Sequence, residues 1–306
     1  MITMGEIKLA ESGSVVWPSS ANPIWRLNYT LANLPDEEGL SIYNVYFRNH
    51  QVFYKASIPS LRIQYANNVC GPYKDKLCFD YGVNRVCQLT FPPIIRKVCS
   101  DVYFIQGIAH LRLRSSYVIG NYRLTQDWVF RSDGVIFPML WSAGLQCNAN
   151  HKHHAYWRFD FDIDGSANNI FLEYNDYSPD VGFGRGWRPL TRETSGSKYA
   201  YSNRRWAIMN NTSPYRGYQI VPGANDGYAD VFSYRDFWCM LYRSEEDKHG
   251  RQGSAWNDNL TGYLNDENIY LQDIVLWYCG HLFHAAHDGA DEWHSVGPIL
   301  YPFRYM

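Results

Sequence analysis

The chain carries almost no net charge, no basic block interleaved with aromatics, no apolar run of membrane-spanning length and no Cys-x-x-Cys pair. A formal charge of -2 lacks the electrostatic footprint of a nucleic-acid binder, so no nucleic-acid partner is expected. A spanning helix needs roughly 20 consecutive apolar residues, and none occur, so no membrane partner is expected either. The opening MITMGEIKLA does not have the layout of a signal peptide, which makes a cytoplasmic location the default expectation. The seven cysteines (70, 78, 87, 99, 147, 239 and 279) leave at least one outside any disulfide, and their scatter argues against a zinc ribbon. Long amphipathic helical patterns, internal repeats and low-complexity linkers are missing as well.

What is abundant is aromatic. Tyr, Phe and Trp make up 17% of the chain, with 25, 15 and 11 copies, and these residues suit strands. Gly, Pro, Asn, Asp and Ser recur as turn punctuation at about the eight-to-twelve-residue spacing of β-sandwiches. The expected fold is all-β, a large antiparallel sandwich, with residues 1–24 as a polar leader and 25–306 as a single domain. WRLNYTL, LSIYNVYF and QVFYKASI read as strands, RSDG as a turn between two more, residues 66–102 as a loop-rich excursion, and 178–230 as long surface connections. Sequons at Asn28, Asn211 and Asn259 bear only on a secreted chain.

The stretch NHKHHAYWRFDFDIDG, Asn150 to Gly165, concentrates chemistry. On a strand, alternation puts His151 and His153 on one face, with His154, Asp160, Asp162 and Asp164 on the other. A His-x-His pair suits copper, zinc, iron or nickel, and the carboxylates suit calcium, magnesium or manganese. The alternative is a strand with a polar edge. A third imidazole is available in DIVLWYCGHLFHAAHDGADEW, where His281, His284 and His287 all qualify. A spacing of three does not keep a face on a strand, so only one of them is expected to serve, and spacing does not say which.

Five segments, in order, resemble the catalytic domain of the copper/topaquinone amine oxidases. They are WRLNYTLANLPDEEGLSIYNVYFRNHQVFYKASIPSLRIQYA, FDYG, YVIGNYRLTQDWVFRSDG, HKHHAYWRFDFDIDG and DIVLWYCGHLFHAAHDGADEW, and the likeness spans residues 17–303. The resemblance implies copper held by His151, His153 and His284, and topaquinone formed from Tyr122 beside Asn121. It implies Asp80 as catalytic base and Tyr65 as hydrogen-bond partner of the quinone. It also implies a calcium-type site of Asp160, the Phe161 carbonyl, Asp162, Asp273 and the Ile274 carbonyl. The implied activity is oxidative deamination of a primary amine, a small molecule, to an aldehyde with release of ammonia and hydrogen peroxide, in a homodimer.

The chain departs from the family at several points. Its cofactor motif, Asn-Tyr-Asp/Glu-Tyr, is here Asn121-Tyr122-Arg123-Leu124, and the aromatic two residues before the base is Cys78. The intervals from Asp80 to Tyr122 and from Tyr122 to His151 are shorter than the family's, which trims a loop closed by a disulfide, here Cys87 to Cys99, and a dimer arm. The family's accessory domains have no counterpart in these residues. These departures keep two alternatives in view: a copper enzyme that leaves Tyr122 unmodified and oxidises or cyclises a small molecule, and a non-catalytic binding protein. A scrambled motif, EYNDYSPD, follows the metal strand and reads as turn chemistry.

Overall fold

Alternating burial is the local rule that builds the molecule. In the strand Trp25–Thr30, Trp25, Leu27 and Tyr29 are buried while Arg26 faces water. The structure is a computed structural model, and it describes residues 2–31, 38–75, 77, 98–176, 186–244, 260–289 and 291–305. Among these residues the strands form two antiparallel sheets, one of eleven strands and one of nine. Helix is confined to single 3-10 turns such as Ala66–Asn68 and Leu260–Tyr263. No described helix is long and apolar enough to cross a membrane.

The smaller sheet runs, in spatial order, Thr194–Gly196, Phe237–Leu241, Ile274–His284, His151–Phe161, His50–Tyr65, Ser41–Phe47, Trp25–Thr30 and Ser12–Trp17. The larger sheet includes the consecutive hairpin strands Cys99–Ile105, Ile108–Ile119, Tyr122–Arg131 and Ile136–Ala143. The main core contains Trp25, Trp128, Trp157 and Trp206, all fully buried. Burying each such ring is worth about 1.5–3 kcal/mol or more, which makes this aromatic layer a principal source of cohesion. A smaller apolar cluster, Tyr156, Trp238, Met240, Val275, Trp277 and Cys279 with Leu260, is built from the opposite parity of the same central strands.

The expected RSDG turn forms as Gly134 N–H donates to the Arg131 carbonyl at 3.0 Å. Gly134 has φ +97, and a Cβ there would lie 2.5 Å from the Phe47 ring, so only glycine closes this hairpin against the core. Two expectations change. The segment expected as a leader supplies strands Ile2–Lys8 and Ser12–Trp17, which pair with Cys99–Ile105 and Trp25–Thr30. Region 178–230, expected as surface connections, contributes strands Gly186–Leu190, Thr194–Gly196, Arg205–Asn210 and Gly217–Val221. Its glycines and arginines hide a short alternation in which Trp206, Ile208, Tyr218 and Ile220 face the core.

Cys70 and Cys147 form a disulfide across 77 residues, joining the chain just after Tyr65 to the chain just before His151. Sequence gave no sign of this pairing. Cys99 is also disulfide-bonded, whereas its expected partner Cys87 lies outside the described residues. Replacing Cys70 and Cys147 together by alanine is expected to cost about 4.5 kcal/mol, the chain-entropy value for a loop of that size. Urea unfolding measures it, and a loss below about 1 kcal/mol would show that the denatured chain is not restrained by this bond.

Candidate metal centre and its tyrosines

Strand register assembles the site. His151 pairs with His284 on one side and Tyr65 on the other, so three side chains stand in one row across three strands. His153 is two residues along and therefore on the same face. The facing sheet contributes Tyr122, the first residue of strand Tyr122–Arg131. Ligand nitrogens of His151, His153 and His284 lie within 4.8 Å of one another, and all three residues are buried. The His151 and His284 rings stack in parallel at 5.0 Å, while the Tyr122 ring stands edge-on to His153 at 4.8 Å.

Polar accounting shows what the cluster lacks. Both ring nitrogens of His153 and Nε2 of His284 are buried without a hydrogen-bond partner. An orphaned polar atom of this kind costs about 1–3 kcal/mol, so three together mark a place built to bind something. Burial first, then the neighbouring imidazoles, hold His153 well below the usual histidine range, and His284 is pulled down to about 3 by the same causes. His151 is lowered too, again chiefly by burial. All three are therefore neutral at physiological pH, which is the ligating form.

The tyrosines are tied into this cluster. His151 Nδ1 lies 3.0 Å from the Ala149 carbonyl and donates to it, which leaves Nε2 as the acceptor for the Tyr122 hydroxyl at 2.9 Å. Tyr122 Oη in turn accepts from the Tyr65 hydroxyl at 2.6 Å and from the Gln146 N–H at 3.1 Å. Burial pushes the Tyr122 phenol up, and these two donors offset only part of that rise. Gly144, at φ +118, lets the Asn121–Tyr122 backbone pass where a Cβ would lie 2.3 Å from the Asn121 carbonyl. Asn121 itself sits exposed at the turn, with its N–H donating to Gln146 Oε1.

Beside the tyrosines is a cavity of about 170 Å³ lined by Tyr65, Tyr73, Asp75, Ile119, Tyr122 and Gln146, among others. Asp75 was not singled out from sequence, because its strand Tyr73–Asp75 is too short to show a pattern. Desolvation raises its carboxyl to about 6. His294 was missed as well; its ring meets that of His284 at 4.6 Å, and its Nε2 lies 3.1 Å from Asp288. Asp80 and Cys78 lie outside the described residues.

The other histidine candidates go elsewhere. His281 pairs with His154 on the opposite face of the strands, and His287 is exposed. Arg123 does not face Tyr122: it pairs with Asp291 at 2.7 Å and lies over the Trp293 ring. Further along the same strand, Asp160, Asp162 and Asp273 bring carboxylate oxygens within 4.8 Å of one another, and the Phe161 and Ile274 backbones pair beside them. Desolvation, then the charges of Asp160 and Asp273, raise Asp162 to about 7.

No protein-family model matches the chain. A copper-containing amine oxidase, gamma 2, of Arabidopsis thaliana is 24% identical, over 54% of this chain and 32% of its own length. The gamma 1 protein of the same plant is 23% identical, over 54% of this chain and 31% of its own. The chain thus matches about a third of the length of these curated relatives. A copper-containing benzylamine oxidase from Hansenula polymorpha superimposes with a TM-score of 0.71, covering 96% of this chain and 60% of its own at 15% identity. Aspergillus nidulans amine oxidase gives 0.67, covering 97% of this chain and 53% of its own at 16% identity. The chain is thus similar in sequence to copper-containing amine oxidases, and the sandwich that brings its histidines and tyrosines together is their fold.

Proposed function

We propose that this chain is a copper-dependent oxidase of a primary amine, converting amine, O2 and water to aldehyde, ammonia and hydrogen peroxide. The observation that carries the reading is the buried histidine cluster, with orphaned nitrogens, in contact with one buried tyrosine hydroxyl. His151, His153 and His284 would hold copper, whose chemistry is O2 activation and oxidation of Tyr122 to topaquinone, the electrophile for the amine. Tyr65 and the Gln146 N–H hold the Tyr122 oxygen in place. Asp80 would accept the α-proton, and Asp75, ionised above about 6, would attract the ammonium form of the substrate into the cavity. A non-catalytic binding protein has no use for three buried neutral imidazoles, two of them with unpartnered nitrogens, set against a buried tyrosine hydroxyl.

The test is the mass of the Tyr122 peptide after copper loading in air with phenylhydrazine present. A hydrazine adduct on Tyr122 is the expected result. An unmodified Tyr122 with one bound copper would overturn quinone formation and leave the copper enzyme without it.

Asp160, Asp162 and Asp273, with the Phe161 and Ile274 carbonyls, would form a calcium site by the same reading, since hard carboxylate oxygens suit that ion. Calcium is expected to raise the melting temperature of the chelator-treated protein, and Asp162→Asn to abolish the rise. An equal calcium shift in the variant would remove these residues from the site.

A further inference from the structure

The face turned away from the histidine cluster carries a second group of the same kind. His154, His281 and Cys279 are fully buried, and one ligand atom from each lies within 4.8 Å of the others. Their strands pair in register, His154 opposite His281, and Cys279 is two residues from His281 on the same side. Cys279 is in no disulfide.

Each imidazole has a carboxylate behind it. His281 Nε2 lies 2.9 Å from Asp236 Oδ1, so it carries the proton and leaves Nδ1 as a lone pair. That Nδ1 lies 2.8 Å from His154 Nδ1 and 3.8 Å from Cys279 Sγ. On the far side of His154, Nε2 has no hydrogen-bond partner, and the nearest carboxylate, Asp230 Oδ2, is 3.8 Å away. Metal-bound histidines as a rule donate their second ring N–H to a carboxylate, and His281 has that arrangement with Asp236, while the two Nδ1 atoms converge. Bond lengths of about 2.3 Å to sulfur and about 2.0–2.1 Å to nitrogen place tetrahedral ligands roughly 3.3–3.6 Å apart. The observed spacing brackets that range.

We infer that His154 Nδ1, His281 Nδ1 and Cys279 Sγ form a second metal site, selective for a thiophilic cation of the Zn²⁺ class. Ser233 Oγ, 3.6 Å from Cys279 Sγ, stands beside the thiolate as a donor. Ion binding displaces the thiol proton, and the thiolate offsets half of the incoming charge. The carboxylates are themselves anchored, Asp236 by Lys198 and Asp230 by Lys152. Asp230 is partly exposed and marks the side from which an ion enters. The ion would pin strands His151–Phe161 and Ile274–His284 from behind. This site does not depend on amine oxidation or on copper at the first cluster.

Cobalt(II), a spectroscopic stand-in for zinc, tests it on the full untagged chain. Two equivalents, enough to fill both clusters, are expected to give a thiolate-to-cobalt charge-transfer band that zinc discharges. Cys279→Ser should abolish the band and weaken binding at this site by at least about 100-fold, more than loss of an outer partner costs. Asp236→Asn should keep the band and weaken binding about 10–100-fold. Cys239→Ser and His153→Leu should both retain the band, the latter because it damages only the first cluster. A wild-type protein without the band, or a band that survives Cys279→Ser, would show that the group is a hydrogen-bonded pair beside a thiol and nothing more. Anomalous diffraction from zinc-soaked wild-type crystals decides the matter without variants: density among the three side chains is expected, and its absence overturns the site.

Discussion

His153→Leu is expected to lower amine oxidation by about 10³-fold or more while leaving the metal-free protein as stable as wild type, or more so. The two effects have one cause. Both nitrogens of His153 are buried without partners, and a leucine of similar size removes that desolvation cost. One of these nitrogens is the ligand atom the proposed function needs. Tyr122→Phe should produce a comparable loss by a different route, removing the oxygen that Tyr65, Gln146 and His151 surround. Because both residues serve one unit, the double variant should be no worse than either single one. Steady-state peroxide release and thermal melts of metal-free protein measure both arms. A His153→Leu protein that keeps amine oxidation within about tenfold of wild type would remove the cluster from the chemistry.

The second large effect separates two carboxylates. Asp80→Asn is expected to lower kcat by about 10²–10⁴-fold, the usual worth of a general base, with KM little changed. Asp75→Asn should act on KM, raising it about tenfold above pH 6 and hardly at all below. The sign follows from its raised carboxyl: Asp75 is neutral below about 6 and attracts an ammonium group only above it. The same shift affects folding. A carboxyl raised in the folded state contributes stability that is full below its unfolded value near 3.9 and is lost as pH rises through about 6. Asp75→Asn should therefore flatten that part of the stability profile. An Asp75→Asn variant that loses kcat instead would transfer the proton-accepting role to Asp75.

Much of this was legible in one strand. Alternation alone separated His151 and His153 from His154 and the aspartates, and the spacing of three in the later segment led to the expectation that one histidine there would join the first pair. It could not choose among His281, His284 and His287, because the choice depends on the pairing of His151 with His284 rather than on spacing within either segment. Two of the strands in region 178–230 were hidden because each offers a single alternating core-facing pair, Trp206 and Ile208 in one and Tyr218 and Ile220 in the next, too short to stand out among glycines and arginines. Asp75 reaches the Tyr122 cavity through a three-residue strand paired to Leu61–Ile63, and the Cys70–Cys147 bond joins points 77 residues apart. Both are facts of three-dimensional closure, to which local pattern is blind.

The strand His151–Phe161 has no idle face. An ordinary half-exposed strand tolerates change at every second position, so lineages can drift along it. Here the inward residues hold the histidine cluster, and the outward ones include His154, Tyr156 and Asp160, all buried. Deleting one residue near Lys152 would exchange the two faces for the rest of the strand and ruin both at once. Length variation in this protein is thereby channelled into its turns, and the strand can evolve only by replacement in place.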